Sequence, residues 1–237
     1  MFRKNRAQEI ARFFDLSLKE NELAFFYLGI SGFIVRSNNQ AVVIDPADML
    51  ESDEIQAAKN VNLIVLTHDH SDHFSAGKTQ TIFKATVAPI LAEPKVASKL
   101  KEIIPTDKLA SAESGKTYTL NGVTATAIEG IHRGPIVLFQ ITIGGITLFH
   151  GGDSGYIDLK GYPSQVAMVP VGEMSPTASP EDAFKMVSDI KPSTAIAMHG
   201  SDKQKQQFKQ KVEESIPQTE VIIMQPYSTK VISVPNP

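Results

Sequence analysis

Cysteine is absent from all 237 residues, which excludes disulfides, thiolate zinc sites, iron–sulfur clusters and thiol nucleophiles together. An excess of either charge is also missing. The 23 Lys+Arg and 26 Asp+Glu leave a net charge of −3, so the basic balance of a polyanion-binding domain is lacking and no nucleic-acid partner is expected. Long apolar runs are scarce as well. The N-terminus starts basic but returns to charge at Glu9, Arg12 and Asp15 before an apolar stretch of signal-peptide length develops. The longest uncharged stretch, 134–152, contains Pro135, Gln140, Thr142 and a Gly144-Gly145 pair, which suits a hairpin better than a membrane helix. With 42% hydrophobic residues, these absences predict a globular cytoplasmic protein with no membrane partner, and self-association into a homo-oligomer is compatible with them.

What is present is an alternation of short apolar runs and turns. Residues 5–18 place Ile10, Phe13, Phe14 and Leu16 among charges, predicting an opening amphipathic helix. Apolar runs at 23–35 and 40–44 predict a hairpin that stops at Asp45-Pro46, and a strand at 61–66 enters the polar segment 67–75. Further β-prone runs fall at 86–91, 116–120, 123–128, 136–143 and 146–149, with Asn121-Gly122 and Gly144-Gly145 as tight-turn signals. After Gly155 strands alternate with helices. Strands are read at 166–171, 194–198, 221–224 and 230–234. One helix is capped by Ser179 with Pro180 at its first position, and a lysine-rich one covers 201–215. The lysines at 203–211 read as a solvated helix face. No linker or low-complexity stretch interrupts the chain, so 1–237 is read as a single domain.

The histidines carry the chemistry. Three fall within six positions, His68-Asp69-His70-Ser71-Asp72-His73, directly after the strand ending in Leu66. In an extended segment His68 and His70 project on the same side, and a turn at Ser71 brings Asp72 and His73 round. Imidazole and carboxylate are the ligands that zinc, manganese or iron accept at neutral pH. Asp153 follows the strand 146–149 through Gly151-Gly152, where missing side chains permit close backbone approach, and His199 sits where a strand gives way to a helix cap at Ser201.

The pattern H-x-H-x-D-H after a strand resembles that of the metallo-β-lactamase-fold hydrolases. Gly130-Ile131-His132 is similar to the family's next histidine segment, FHGGDSGY to its bridging-aspartate segment and AMHG to its final histidine. The stretch VPVGEMSPTASPEDA followed by KPSTAIAMHG is similar to the small stand-alone branch that includes ascorbate-phosphate lactonase-like proteins. The resemblance implies an α/β fold, a four-layer αββα sandwich of two mixed β-sheets flanked by helices, with metals at one edge. It also implies two divalent metal ions, zinc first with manganese or iron as alternatives. One ion would be held by His68, His70 and His132 and the other by Asp72, His73 and His199, with Asp153 bridging them.

With a bridging hydroxide such a centre keeps a local charge of about +1, which favours a small anionic ester, lactone or phosphodiester as substrate. Asp72 could relay the proton, and Arg133, next to His132, is a candidate anion contact. Asp45 is expected to orient a ligand histidine, and His150 to support the site without ligating. Tyr156, Tyr162, Glu173, Ser175 and Thr177 lie on loops expected to line the pocket, without assigned roles. The competing readings are a di-iron oxidoreductase on the same fold, a nuclease, and a metal-binding protein without activity.

Overall fold

The computed structural model describes residues 6–172 and 178–235. After a helix α1 (Arg6–Asp15) come β1 (Glu22–Gly29), β2 (Gly32–Arg36), β3 (Ala41–Ile44) and β4 (Leu63–Leu66), with α2 (Ser52–Ala57) between the last two. Helix α3 (Ala76–Thr86), β5 (Ile90–Ala92), α4 (Pro94–Leu100) and β6 (Leu109–Ser111) complete this half except for one strand. The second half holds β7 (Thr117–Leu120), β8 (Val123–Glu129), β9 (Val137–Ile143), β10 (Ile146–His150), β11 (Val166–Pro170), α5 (Pro180–Ile190), β12 (Thr194–Met198), α6 (Asp202–Ser215) and β13 (Glu220–Ile223). The last strand, β14 (Ser228–Ser233), returns to pair with β1 in the first sheet.

Two seven-stranded sheets result, ordered β14-β1-β2-β3-β4-β5-β6 and β13-β12-β11-β10-β9-β8-β7. Each mixes antiparallel hairpins with parallel strands, because β3 through β6 and β10 through β13 are joined by crossovers rather than tight turns. The two-residue strand period explains the layering. Leu23, Phe25 and Tyr27 of β1 point into the core between the sheets, whereas Ala24, Phe26 and Leu28 pack under the helices of the first half. The second sheet does the same, burying Phe149, Ala167 and Val169 against Phe208 of α6 and Met186 and Val187 of α5. This is the αββα sandwich expected from the resemblance.

Local signals placed most elements well. Ser179 caps α5 by accepting from the Asp182 N–H, with Pro180 at the first helical position, and Ser201 caps α6 in a capping box with Gln204. Two readings need correction. The apolar run 23–35 is two antiparallel strands, because Gly29 (φ 119°) and Ile30 (φ 54°) turn the chain before Gly32. The run at 86–91 is the end of α3 followed by β5. Helices α2 and α4 lacked a clear sequence signal, being only 6 and 7 residues long.

All the proposed ligands reach one edge of the sandwich. Asp45 follows β3, Thr67 and His68 follow β4, Asp153 follows β10 and His199 follows β12. These are carboxyl ends in the parallel parts of both sheets, β3 beside β4 in one and β10 and β12 on either side of β11 in the other, where divergent connections leave open space. Among the described residues no helix is long and apolar enough to cross a membrane.

Candidate metal centre

Two clusters of ligand atoms form at this edge, each with its members within 4.8 Å of one another. The first contains His68, His70, His132 and Asp153; the second contains Asp72, His73, Asp153 and His199. Asp153 belongs to both. Its Oδ2 lies 3.8 Å from His68 Nε2, whereas its Oδ1 lies 2.9 Å from His73 Nε2 and 3.2 Å from His199 Nε2. His70 Nδ1 and His132 Nε2 are 3.3 Å apart, and His199 Nε2 lies 3.5 Å from Asp72 Oδ2. Ligand atoms about 2.0–2.2 Å from a tetrahedral ion stand roughly 3.3–3.6 Å from one another, so these separations are close to those an ion requires.

Hydrogen bonding fixes the tautomers. Thr67 donates its hydroxyl to Asp45 Oδ2 at 2.5 Å, so the Thr67 hydroxyl oxygen is left to accept from His68 Nδ1 at 3.0 Å. The proton of neutral His68 therefore sits on Nδ1, and the buried Nε2, which makes no hydrogen bond, presents its lone pair to the first cluster. A buried nitrogen left this way is costly unless something accepts its lone pair, and a metal ion fits. His73 Nδ1 lies 2.8 Å from Asp45 Oδ2, directing Nε2 into the second cluster. Asp45 Oδ1 takes the Thr67 N–H at 2.8 Å. A third grouping of Asp45, His68 and His73 also exists, but Asp45 is occupied by these three donors and serves as a support.

The electrostatics divide the centre. Burial pushes the His68 pKa down to about 3 and lowers that of His132. Burial opposes protonation of His73 and His199 as well, but Asp153 and Asp45 raise the first to about 10, and Asp153 and Asp72 raise the second to about 9. Asp153 is held far below the usual carboxylate range: burial disfavours its charge, and hydrogen bonds from His199 and His73 outweigh that cost.

The backbone bends to deliver these groups. Asp45 (φ 41°) and His199 (φ 46°) adopt left-handed conformations, and the His199 N–H is held by the Ile30 carbonyl at 2.9 Å. Gly152 adopts a φ of 51° that favours glycine, and an added Cβ would sit tightly at 3.0 Å from Ile136 Cδ1. Ser154 receives the Ile131 N–H at 2.9 Å, tying the His132 loop to the Asp153 loop. Asp69 turns away from the metal clusters and pairs with Lys95 at 2.8 Å and Lys99 at 2.6 Å, fastening the histidine segment to α4.

His150 lies outside all three groupings. Its Nδ1 accepts from the Gly152 N–H at 3.2 Å and its Nε2 donates to the Ser31 carbonyl at 2.9 Å, so the ring is neutral and clamps the Asp153 turn to the start of β2. Arg133 is exposed. Tyr156 donates to Asp189 at 2.8 Å, and Tyr162 packs against the core beneath α5 and α6. Glu173, Ser175 and Thr177 lie outside the described residues. The sequence reading missed Thr67 and Ser31; the available signal for Thr67 was a hydroxyl residue immediately before His68, at the end of the strand beside Asp45.

A family model described as the β-lactamase superfamily domain matches residues 24–199. A metal-dependent hydrolase of the UPF0173 group from Pyrobaculum islandicum is 30% identical over 222 residues, covering 86% of this chain and 97% of that one. A UPF0173 protein of Pyrococcus abyssi is 30% identical over 177 residues, covering 73% and 81%. Among solved structures, Igni18, a metallo hydrolase from Ignicoccus hospitalis, shares the fold with a TM-score of 0.75 at 23% identity, covering 89% of this chain and 98% of that one.

Proposed function

For this chain, which belongs to the β-lactamase superfamily and is a metal-dependent hydrolase of that fold, we propose a dinuclear centre that hydrolyses a small anionic ester, lactone or phosphodiester. The observation that carries this reading is the division of Asp153 between two ligand clusters, one oxygen facing each. His68, His70 and His132 hold one ion; Asp72, His73 and His199 hold the other. Zinc is the first candidate, with manganese or iron accepted by the same donors.

Ions bound there supply an acidified water with a pKa of about 7 and a Lewis acid for the substrate's carbonyl or phosphoryl oxygen. The protein's own groups do the rest. Asp45 and Thr67 hold His73 and His68 in the tautomers that turn lone pairs inward. Asp72, with its side chain 25% exposed, is more open than Asp153, which suits it to take up a proton from the attacking water and return it to the leaving group. Asp153 and His73 are buried and close the rear of the centre to water. The net charge of two divalent ions and two carboxylates is positive, which draws an anion in. Arg133, exposed and next to His132 in the chain, would add to that field.

The zinc- or manganese-loaded protein is expected to hydrolyse a member of a panel of anionic esters, lactones and phosphodiesters, with rates rising through near-neutral pH and competitive inhibition by inorganic phosphate. Redox turnover with bound iron and no hydrolysis across the panel would contradict it.

A further inference from the structure

Two cavities adjoin the proposed metal centre, and their walls differ in charge. One, of about 640 Å³, runs along His132 and Ile131; among the described residues its charged wall residues are Glu93, which caps α4, Glu113, which pairs with Lys116 at 2.6 Å, and Glu129. The other, of about 310 Å³, lies beside His199, Tyr27 and Pro226, and among the described residues its charged wall residue besides the histidine is Lys205. An anion bound across the metals would meet carboxylates on one side and an ammonium on the other.

Lys205 stands on the first turn of α6 and is half-buried. Among the described residues its ammonium forms no ion pair or hydrogen bond, whereas Lys209 and Lys211 of the same helix pair with Glu213 and Glu181. The nearby Ile30 carbonyl is already taken by the Tyr27 hydroxyl at 2.9 Å and the His199 N–H at 2.9 Å. Among the described residues this cationic side chain at the cavity wall has no counter-ion, and an anion in the cavity would supply one.

We propose that Lys205 binds the anionic group of the substrate on the His199 side, and that the uncharged or cationic end lies in the glutamate-lined cavity beside His132. This rests on the metallohydrolase reading above and adds the substrate's orientation and the residue that sets it. Arg133, exposed to solvent, acts only through a field screened over about 8 Å at physiological salt.

The test measures binding of inorganic phosphate to zinc-loaded protein by titration calorimetry, with zinc content determined for each variant. Lys205→Ala should weaken phosphate binding roughly tenfold, and Lys205→Arg should stay within about threefold of the parent. Lys203→Ala, which removes the same charge from an exposed position of α6, should change binding less than about twofold. At about 0.5 M salt the Lys205→Ala loss should persist while any Arg133→Ala loss vanishes. Parent protein that carries zinc but binds no phosphate would contradict the anionic-substrate reading itself. Parent binding with no loss in Lys205→Ala, or an equal loss in Lys203→Ala, would overturn the assignment of Lys205 and leave that reading standing.

Discussion

Asp45 accepts the His73 Nδ1 proton at 2.8 Å from a buried position outside the ligand sphere. The same carboxylate receives the hydroxyl and the N–H of Thr67, so one side chain orients His73 directly and His68 through Thr67. Three donors converge on it, which a neutral amide with one acceptor oxygen cannot satisfy.

Asp45→Asn therefore separates charge and hydrogen bonding from shape, because asparagine tolerates the left-handed φ of 41° that this position requires. Metal affinity is expected to fall about 10–100-fold, as for other residues that orient a ligand histidine. Zinc competition against a chelator reads this, and unchanged affinity would remove Asp45 from its supporting role.

His150→Ala and Asp153→Ala should fail in different ways. Removing the buried imidazole leaves the Gly152 N–H and Ser31 carbonyl unpaired and opens a void, costing roughly 2–4 kcal/mol, or about 5–15 °C in Tm. Its zinc content should nonetheless stay near that of the parent. Asp153→Ala should lose metal first. Loss of zinc from His150→Ala at an unchanged Tm would show that His150 is a ligand.

Proton release should accompany metal loading. With pKa values near 10 and 9, His73 and His199 carry protons at pH 7 in the metal-free protein, whereas His68, near 3, does not. The cluster of His68, His70 and His132 should fill first, and entry of the second ion should release close to two protons. Its affinity should climb steeply from pH 6 to 9. Because both pKa values are raised above the usual 6.5, their contribution to the metal-free fold is complete below pH 6.5 and lost as pH rises through about 9–10. Calorimetry in buffers of different ionisation enthalpy measures the release, and a pH-independent second affinity would contradict the expected order.

The ligand set was legible because its chemistry is concentrated in residue types with few other uses in such a pattern. His68 to His73 occupy one loop, and His132, Asp153 and His199 each stand in a turn at a strand end, where glycine neighbours mark close approach. Asp45 was legible only as an aspartate ending a strand. Its role depends on β3 lying beside β4, a pairing that no local signal encodes. Lys205 was harder still: among the lysines of α6 it reads as one more solvated charge, and only the fold brings it to the wall that His199 shares. The break at Gly29–Ser31 was hidden by apolar residues on both sides, all buried because both faces of the sheet are covered.

Elemental analysis of protein prepared without chelators reads whether Asp153 serves two ions at once. Two transition-metal ions per chain are expected for the parent after zinc or manganese is supplied, with Asp153→Ala retaining one or fewer. Occupancy that stays at one ion or none in the parent under the same conditions would contradict the shared centre.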